Sequence, residues 1–379
     1  MKKLLLVLLV TILIASVNEL RCQNKIPDFN KIDLLINKSI SDTAFPGAVV
    51  LIWKDGNNIF NKSYGHFTYD KNSPSVTTKT FFDLASLTKV IATTTAVMIC
   101  YDRNLFSLDD PVAKYIPEFG QNGKDKITIK NLLLHNAGLT AWKKFYEYCN
   151  TSEDVLKEIY SSSLEYEPGP KMVYSDWGFI TLGKIIEKVS GKTLDDFCKD
   201  EIFTPLNMNS TLFNPDESIK KLCAPTEIDN YWRMKPLQGE VHDEASSLLN
   251  GVAGHAGLFS TAEDISKLMA VLINKGKFEG NSFIKQSTVE LFTKRYSEQS
   301  TRALGWDTKS EKGSSSGDYF SLKSFGHTGF TGTSIWVDPE KNLFVVFLTN
   351  RVYPSRENFK LGKIRPELHN IIYKSLFIE

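Results

Sequence analysis

The chain has 379 residues, 42% of them hydrophobic and 23% charged, and its 45 Lys and Arg against 44 Asp and Glu leave a formal charge of +1. This composition carries no basic excess for nucleic acid and no acidic tail, and it supports an enzyme-sized core rather than disorder. The five cysteines form no C-x-x-C pair and have no close histidine, which argues against zinc.

Met1-Lys2-Lys3 precedes an apolar run of 14 residues, LLLVLLVTILIASV. A positive start and a short apolar segment read as an export signal over residues 1–22. Cleavage before Gln23 and cleavage near Ser16 are both open. A lipid anchor on Cys22 fits poorly, because the charged Arg21 stands where such signals carry a small residue; an uncleaved anchor is the other alternative. Without residues 1–22 the formal charge becomes −1, as Lys2, Lys3, Arg21 and Glu19 are lost. No other stretch is long and apolar enough to span a bilayer. The expected product is exported, to the periplasm or beyond.

Residues 23–379 read as one domain. Phe29, Ile32, Leu35 and Ile36 predict a helix over 28–40. Two strands follow around a turn at Asp55-Gly56-Asn57-Asn58. Residues 81–101, FFDLASLTKVIATTTAVMICY, are uncharged on both faces beyond Lys89 and predict a helix buried nearly all round. Helices are also expected over 128–137, over 177–190 ending at Gly191, and over 261–275 with Thr261 as N-cap. Gly313–Gly317 (GSSSG) reads as a short exposed loop, and Glu298 and Lys309–Lys312 as part of a solvated face. Residues 331–350 predict a hairpin turning at 338–342, and 366–377 a closing helix. The simplest assembly is α/β (α+β): an antiparallel sheet built from both chain ends (about 23–80 and 315–379), flanked by helices, with a mostly helical part over about 81–275.

Chemistry enters with Ser86 and Lys89. They are three apart and share one face of an apolar helix. A lysine in a dry first turn adds no stability unless it is paired, but beside a serine it builds an S-x-x-K nucleophile. Ser218 and Ser282 also begin S-x-x-K, in polar loop-like surroundings that read as accidental. Tyr174-Ser175-Asp176 lies in a Pro/Gly-rich loop feeding a helix, where a catalytic side chain is useful. Tyr148-Cys149-Asn150 has the same pattern without that setting. Gly326-His327-Thr328-Gly329 precedes a strand, and its glycines are expected to let the backbone approach a ligand. His242, Asp243, Glu244 and His255 lack metal-ligand spacing and read as structural or pocket-lining. His135 reads as capping its helix, Trp177 as core or pocket wall, and Cys100 as a buried free thiol.

Ser86–Lys89, Tyr174–Asp176 and His327–Gly329, in that order, resemble the penicillin-recognising serine hydrolases, in the class C β-lactamase and DD-peptidase branch. The flanks ITIKNLLLHNAGL, GVAGHAGLFSTAEDISKLM and GHTGFTGTSIWVDP extend the resemblance from about Phe45 to Arg351. It implies a β-lactamase/transpeptidase-like fold, an acyl-enzyme on Ser86, and proton transfer by Lys89 and Tyr174. Tyr174 would act as phenolate or through a proton relay; a tyrosine phenol titrates near pH 10 in water, so Lys89 has to lower that value or share the proton. The resemblance further implies an oxyanion hole from the backbone N–H groups of Ser86 and Phe330, and substrate contacts at Asp176, His327, Thr328 and Gly329. It needs no metal or cofactor. The implied substrate is a peptidoglycan stem peptide ending in D-Ala-D-Ala, a β-lactam or an ester, and a silent penicillin- or cell-wall-binding protein is the non-enzymatic alternative. Two departures stand out. Asp176 replaces the asparagine typical of β-lactamases, and a carboxylate only accepts hydrogen bonds. His327 replaces their lysine, and imidazole is a weaker fixed anchor for a carboxylate.

Overall fold

The computed structural model describes residues 27–378; the expected export signal lies outside them. Helix α1 (Asn30–Ser41) buries Ile32 and Ile36 at the predicted spacing. The main sheet contains β1 (Gly47–Lys54), β2 (Asn57–Gly65), β3 (Asp307–Thr308), β4 (Phe325–Thr328), β5 (Ser334–Asp338) and β6 (Leu343–Thr349). Its spatial order is β3-β4-β5-β6-β1-β2, with every neighbouring pair antiparallel. The N-terminal β1 thus lies in the middle of strands from the far end of the chain, with Ala48 opposite Thr349 and Lys54 opposite Leu343.

This placement explains the unbroken apolar text of β1. Val49, Leu51 and Trp53 point into the larger core, whereas Ala48, Val50 and Ile52 point into a second core with Ile32, Ile36, Leu368 and Ile372. A strand covered on both faces has no solvent side to make polar. The helices that matter for the site are α2 (Thr95–Asp102), α3 (Asp176–Ser190), α4 (Ala262–Ile273) and α5 (Leu361–Phe377). Helix α4 packs on β1 and β6, and α5 packs beside α1. Thr261 caps α4 through the Asp264 amide, and Gly191 closes α3 at φ +72°. The α+β architecture therefore matches the expectation.

Several local readings need correction. The helix expected from residue 81 starts later, because Phe82–Asp83 is a strand paired with Leu258–Ser260. The helix expected over 128–137 covers only Ile129–Leu133, and His135 turns away at φ +55°. Helix α5 begins at Leu361, ahead of Pro366, because Leu361 and Ile364 extend its buried face. The GSSSG segment is packed rather than exposed: Ser314 and Ser316 are buried, and Ser315 Oγ accepts from Trp336 Nε1 at 2.9 Å. Lys309 is buried too, donating from Nζ to the Asp318 carbonyl at 3.0 Å. Cys100, Cys149, Cys198 and Cys223 are free and buried. Among the described residues, no helix is long and apolar enough to cross a membrane.

Candidate active site

A strap of hydrogen bonds sets the nucleophile. After Phe82–Asp83 the chain turns sharply, with Ala85 at φ +45° and its amide held by Asp83 Oδ1 at 2.8 Å. Asp83 Oδ2 accepts from the His242 amide at 2.7 Å. Thr331 Oγ1 donates to the Asp83 carbonyl at 2.7 Å, and Thr333 Oγ1 donates to the Leu84 carbonyl at 3.0 Å. Ser86 follows in a single 3-10 turn, Ala85–Leu87. The chain then widens into a π-helical turn, Lys89–Thr94, before α2 begins. Thr94 Oγ1 bonds the Lys89 carbonyl at 2.7 Å and Thr95 Oγ1 bonds the Val90 carbonyl at 3.0 Å, both five residues back. Such wide turns are frequent at functional sites.

Lys89 is completely buried. Its Nζ donates to Ser86 Oγ at 3.0 Å and to the His255 carbonyl at 3.1 Å, and it pairs with Asp176 Oδ1 at 2.7 Å. An ammonium has three N–H groups, and these three partners occupy all of them. Burial pulls its pKa down, but Asp176 and Tyr174 outweigh burial and hold it above the usual lysine value. The aspartate that departs from the β-lactamase pattern is therefore the counter-ion of the buried lysine.

Tyr174 is placed by the loop before α3. The His135 carbonyl accepts from the Val173 amide at 2.9 Å, and His135 Nδ1 accepts from the Ser175 amide at 3.0 Å. His135 thus anchors the tyrosine loop from both its carbonyl and its ring, a larger role than capping its own short helix. Burial, with Arg302 and Lys89 nearby, holds its imidazole well below the usual range, as an accepting Nδ1 requires. The Tyr174 ring lies 4.4 Å from the His135 ring and 5.9 Å from the His327 ring. Lys89 Nζ lies 4.9 Å and the Arg302 guanidinium 5.1 Å from its centre. The Tyr174 hydroxyl is buried beside Lys89, with no well-aligned hydrogen bond to fix it.

His327, Thr328, Gly329 and Phe330 form the opposite wall. His327 Nδ1 contacts the Thr328 carbonyl at 2.9 Å, and its Nε2 is buried without a partner. Burial, Arg302 and Lys89 keep the imidazole neutral, well below its usual range. The flanking glycines serve the protein rather than a ligand. A Cβ on Gly329 would meet Thr333 Oγ1 at 2.1 Å and the Leu84 carbonyl at 2.4 Å, and one on Gly326 would meet the Ile335 carbonyl at 2.2 Å. Gly329 lets the wall close onto the strap that carries Ser86. The Phe330 amide follows it and donates to no acceptor among the described residues.

These residues share a cavity of about 700 Å³, whose lining includes Ser86, Tyr174, Asp176, Arg302, His327–Phe330 and Arg365. Its rim holds a charge network: Arg356 bonds Glu227 at 2.6 Å and Glu244 at 2.9 Å, and His242 Nε2 bonds Glu227 at 2.9 Å. His255 Nε2 bonds Asp243 at 2.8 Å. No cluster of metal-ligating residues occurs among the described residues; His242 lines the cavity and His255 is buried behind it. Ser218, Ser282 and Tyr148 do not line the cavity. Trp177 is core, stacked on Phe145. The sequence reading missed Asp83, Thr331 and Thr333, which assemble the site, and Arg302 and Arg365, which face it. Asp83 lies just ahead of the Ser86 motif and Thr331 and Thr333 just after the His327–Gly329 motif, whereas the two arginines lie beside none.

The Beta-lactamase family model matches residues 32–366. An N-acetylmuramyl-L-alanine amidase of Bacillus subtilis is 36% identical over 85% of this chain and 80% of its own length. A protein of Escherichia coli K12 that bears the name "Putative D-alanyl-D-alanine carboxypeptidase" is 33% identical over 85% of this chain and 82% of its own. Among solved structures, EstCE1, a hydrolase with promiscuous acyltransferase activity, superposes with a TM-score of 0.74 at 22% identity, covering 91% of this chain and 98% of its own.

Proposed function

The chain belongs to the Beta-lactamase family, as a serine hydrolase of β-lactamase/DD-peptidase type, and from that premise we propose that it is a DD-carboxypeptidase acting on D-Ala-D-Ala-terminated peptidoglycan peptides. The observation that carries this reading is the contact of buried Lys89 with Ser86 Oγ at 3.0 Å, with the buried Tyr174 hydroxyl beside it.

Ser86 Oγ attacks the penultimate D-Ala carbonyl carbon. Lys89 already donates to that oxygen and all its N–H groups are in use, so the serine proton is relayed through the Tyr174 hydroxyl, which takes it up as it passes its own proton on to the leaving nitrogen. The backbone N–H groups of Ser86 and Phe330 hold the oxyanion, each worth about 3 kcal/mol in the transition state. Tyr174 then protonates the departing amine, the C–N bond breaks, and terminal D-Ala leaves. Water attacks the acyl-enzyme by the same route and returns the proton to Ser86. Asp176 keeps Lys89 charged rather than reading a substrate carbonyl. The leader read from residues 1–22 supports action outside the cytoplasm.

A second reading is hydrolysis of the amide between a muramyl sugar and its peptide. It is favoured by the named activity of the Bacillus relative and by aromatic side chains at the cavity, Trp142, Phe330 and Phe359, which are exposed at 44, 45 and 71%. Such faces suit a sugar ring.

The test is a side-by-side assay of a D-Ala-D-Ala peptide, a muramyl-peptide, a cephalosporin and a nitrophenyl ester. Release of D-Ala, lost in Ser86→Ala, supports the first reading. Cleavage of only the muramyl amide selects the second. Turnover of the ester alone points to an esterase, and of the cephalosporin to a β-lactamase. No turnover and no acylation would leave a silent binding protein.

A further inference from the structure

Outside the cavity, two segments raise an aromatic shelf that the chemistry above does not use. One is a short hairpin in which Ile228–Asp229 pairs with Lys235–Pro236, and the other is the turn Phe145–Glu147. The Tyr146 ring lies 5.7 Å from that of Tyr231 and 5.5 Å from that of Trp232, the second pair 30° from parallel. Tyr231 is 40% exposed, and Tyr146 and Trp232 are half-buried. None of the three lines the cavity, yet the shelf begins at its rim. The Tyr231 hydroxyl donates to Glu244 at 2.5 Å, and Glu244 and Trp142 both line the cavity.

The hairpin holds these rings still. Asp229 is buried and accepts from the amides of Tyr231 at 3.2 Å and Trp232 at 2.9 Å, and from Arg233 Nε at 2.8 Å. Arg233 in turn donates to the carbonyls of Val241 and His242 at 2.7 Å each, and its guanidinium lies 5.0 Å from the Trp232 ring. An aromatic ring already fixed in place loses little freedom on binding. The charges around the shelf cancel locally: Lys144 pairs with Glu147 at 3.3 Å, Arg233 with Asp229 at 2.8 Å, and Lys235 with Glu240 at 2.7 Å. Such a surface gives a charged partner no unmatched charge to hold. It suits the apolar faces of sugar rings, whose hydroxyl and N-acetyl groups stay in water. Continuity with the cavity favours a chain that carries the substrate over an unrelated protein partner.

We propose that Tyr146, Tyr231 and Trp232 bind the sugar chain of peptidoglycan outside the cavity, so that the enzyme takes stem peptides still attached to a glycan strand in preference to free ones. The preference rests on the substrate class proposed above; affinity for a bare sugar chain does not.

The first measurement is calorimetric binding of a peptide-free hexamer of β-1,4-linked N-acetylglucosamine, which offers no bond for the serine to cleave. The native protein is expected to bind the hexamer, and Trp232→Ala and Tyr146→Ala should each weaken that binding by about tenfold or more. Trp232→Phe keeps an aromatic face and should lose much less. Turnover of a nitrophenyl ester needs only the cavity, so in these variants it should stay within about twofold and report an intact fold. The second measurement compares D-Ala release from glycan-borne and from free stem peptides. The native enzyme should favour the glycan-borne peptide, and Trp232→Ala should collapse that preference. No binding of the hexamer by the native protein, unchanged binding in both Ala variants, or equal D-Ala release from the two peptides by the native enzyme overturns the proposal. Hexamer binding lost in Trp232→Ala, with no D-Ala released from either peptide, would reject the carboxypeptidase reading and leave the sugar shelf standing.

Discussion

Two charged clusters face the same cavity and follow opposite rules. At the rim, Glu227, Tyr231, His242, Glu244 and Arg356 bond one another, and none of their buried polar atoms is without a partner. On the inner wall, His327 Nε2 and two nitrogens of Arg302 are buried and unpartnered, and the buried Tyr174 hydroxyl has no well-aligned hydrogen bond. A satisfied network holds shape, whereas orphaned buried groups are tolerated where something arrives to complete them. Orphaned atoms also occur elsewhere in the fold, Trp177 Nε1 and Trp306 Nε1 among them, so the contrast describes the two sides of this cavity.

The comparison can be broken most directly at its reactive end. Ser86→Ala should lower ester turnover by at least about 1,000-fold and abolish the covalent acyl adduct in mass spectrometry, while leaving the melting temperature within a few degrees. Retained acylation would move the nucleophile elsewhere.

The scaffold end makes the next largest prediction. Burial opposes the Glu227 charge, but His242 and Arg356 hold its carboxyl at about 2, below the ordinary 4.5. A depressed carboxyl stabilises the fold above its unfolded pKa, and that stability is lost as pH falls through the folded one. Native protein should therefore lose about 3 kcal/mol of stability between pH 4.5 and 2, measured by urea unfolding. Glu227→Gln should be less stable at neutral pH and flatter across that acid window. An unchanged acid slope would show that the rim pair is not the source.

Asp176→Asn lies between the two clusters, since it removes a satisfied pair from the reactive centre. Lys89 loses its counter-ion and becomes easier to deprotonate, so the basic limb of the rate profile should move to lower pH. If Asp176 serves Lys89 alone, amide and ester turnover should fall together, by roughly tenfold. A selective loss on amides would instead show that residue 176 reads the substrate amide. The raised Lys89 pKa adds stability below about pH 10.5, which disappears as pH rises through the folded value.

The smallest effect belongs to a position that touches neither cluster. Gly56 adopts φ +94° in the turn between β1 and β2, and a Cβ placed there would have nothing within 4 Å. Gly56→Ala should cost only about 1 kcal/mol in thermal unfolding and leave turnover unchanged.

Much of this arrangement was legible in the sequence because its signals are local. Ser86 and Lys89 sit in one apolar run, Tyr174 precedes the α3 pattern, and the alternation in β1 and β6 collapses into apolar runs for a physical reason. What could not be read depends on contacts between distant segments. Thr331 and Thr333 look like ordinary strand-entry residues until they bond the carbonyls of Asp83 and Leu84. Arg302 and Arg365 carry no motif, and only packing brings them to the cavity. The GSSSG segment reads as solvent-facing by composition, yet Trp336 and α5 bury it.

The strap between Leu84 and Thr333 joins residues 249 positions apart. During synthesis the serine emerges early, but the turn that completes its surroundings and the helix bearing Arg365 emerge near the end. Contacts this distant in sequence form only after long loops close. A growing chain is therefore a latent hydrolase, and a truncation before residue 333 should be inert even if its serine is intact. Hydrolytic activity is in effect a readout of finished folding, acquired when the two ends of the polypeptide meet.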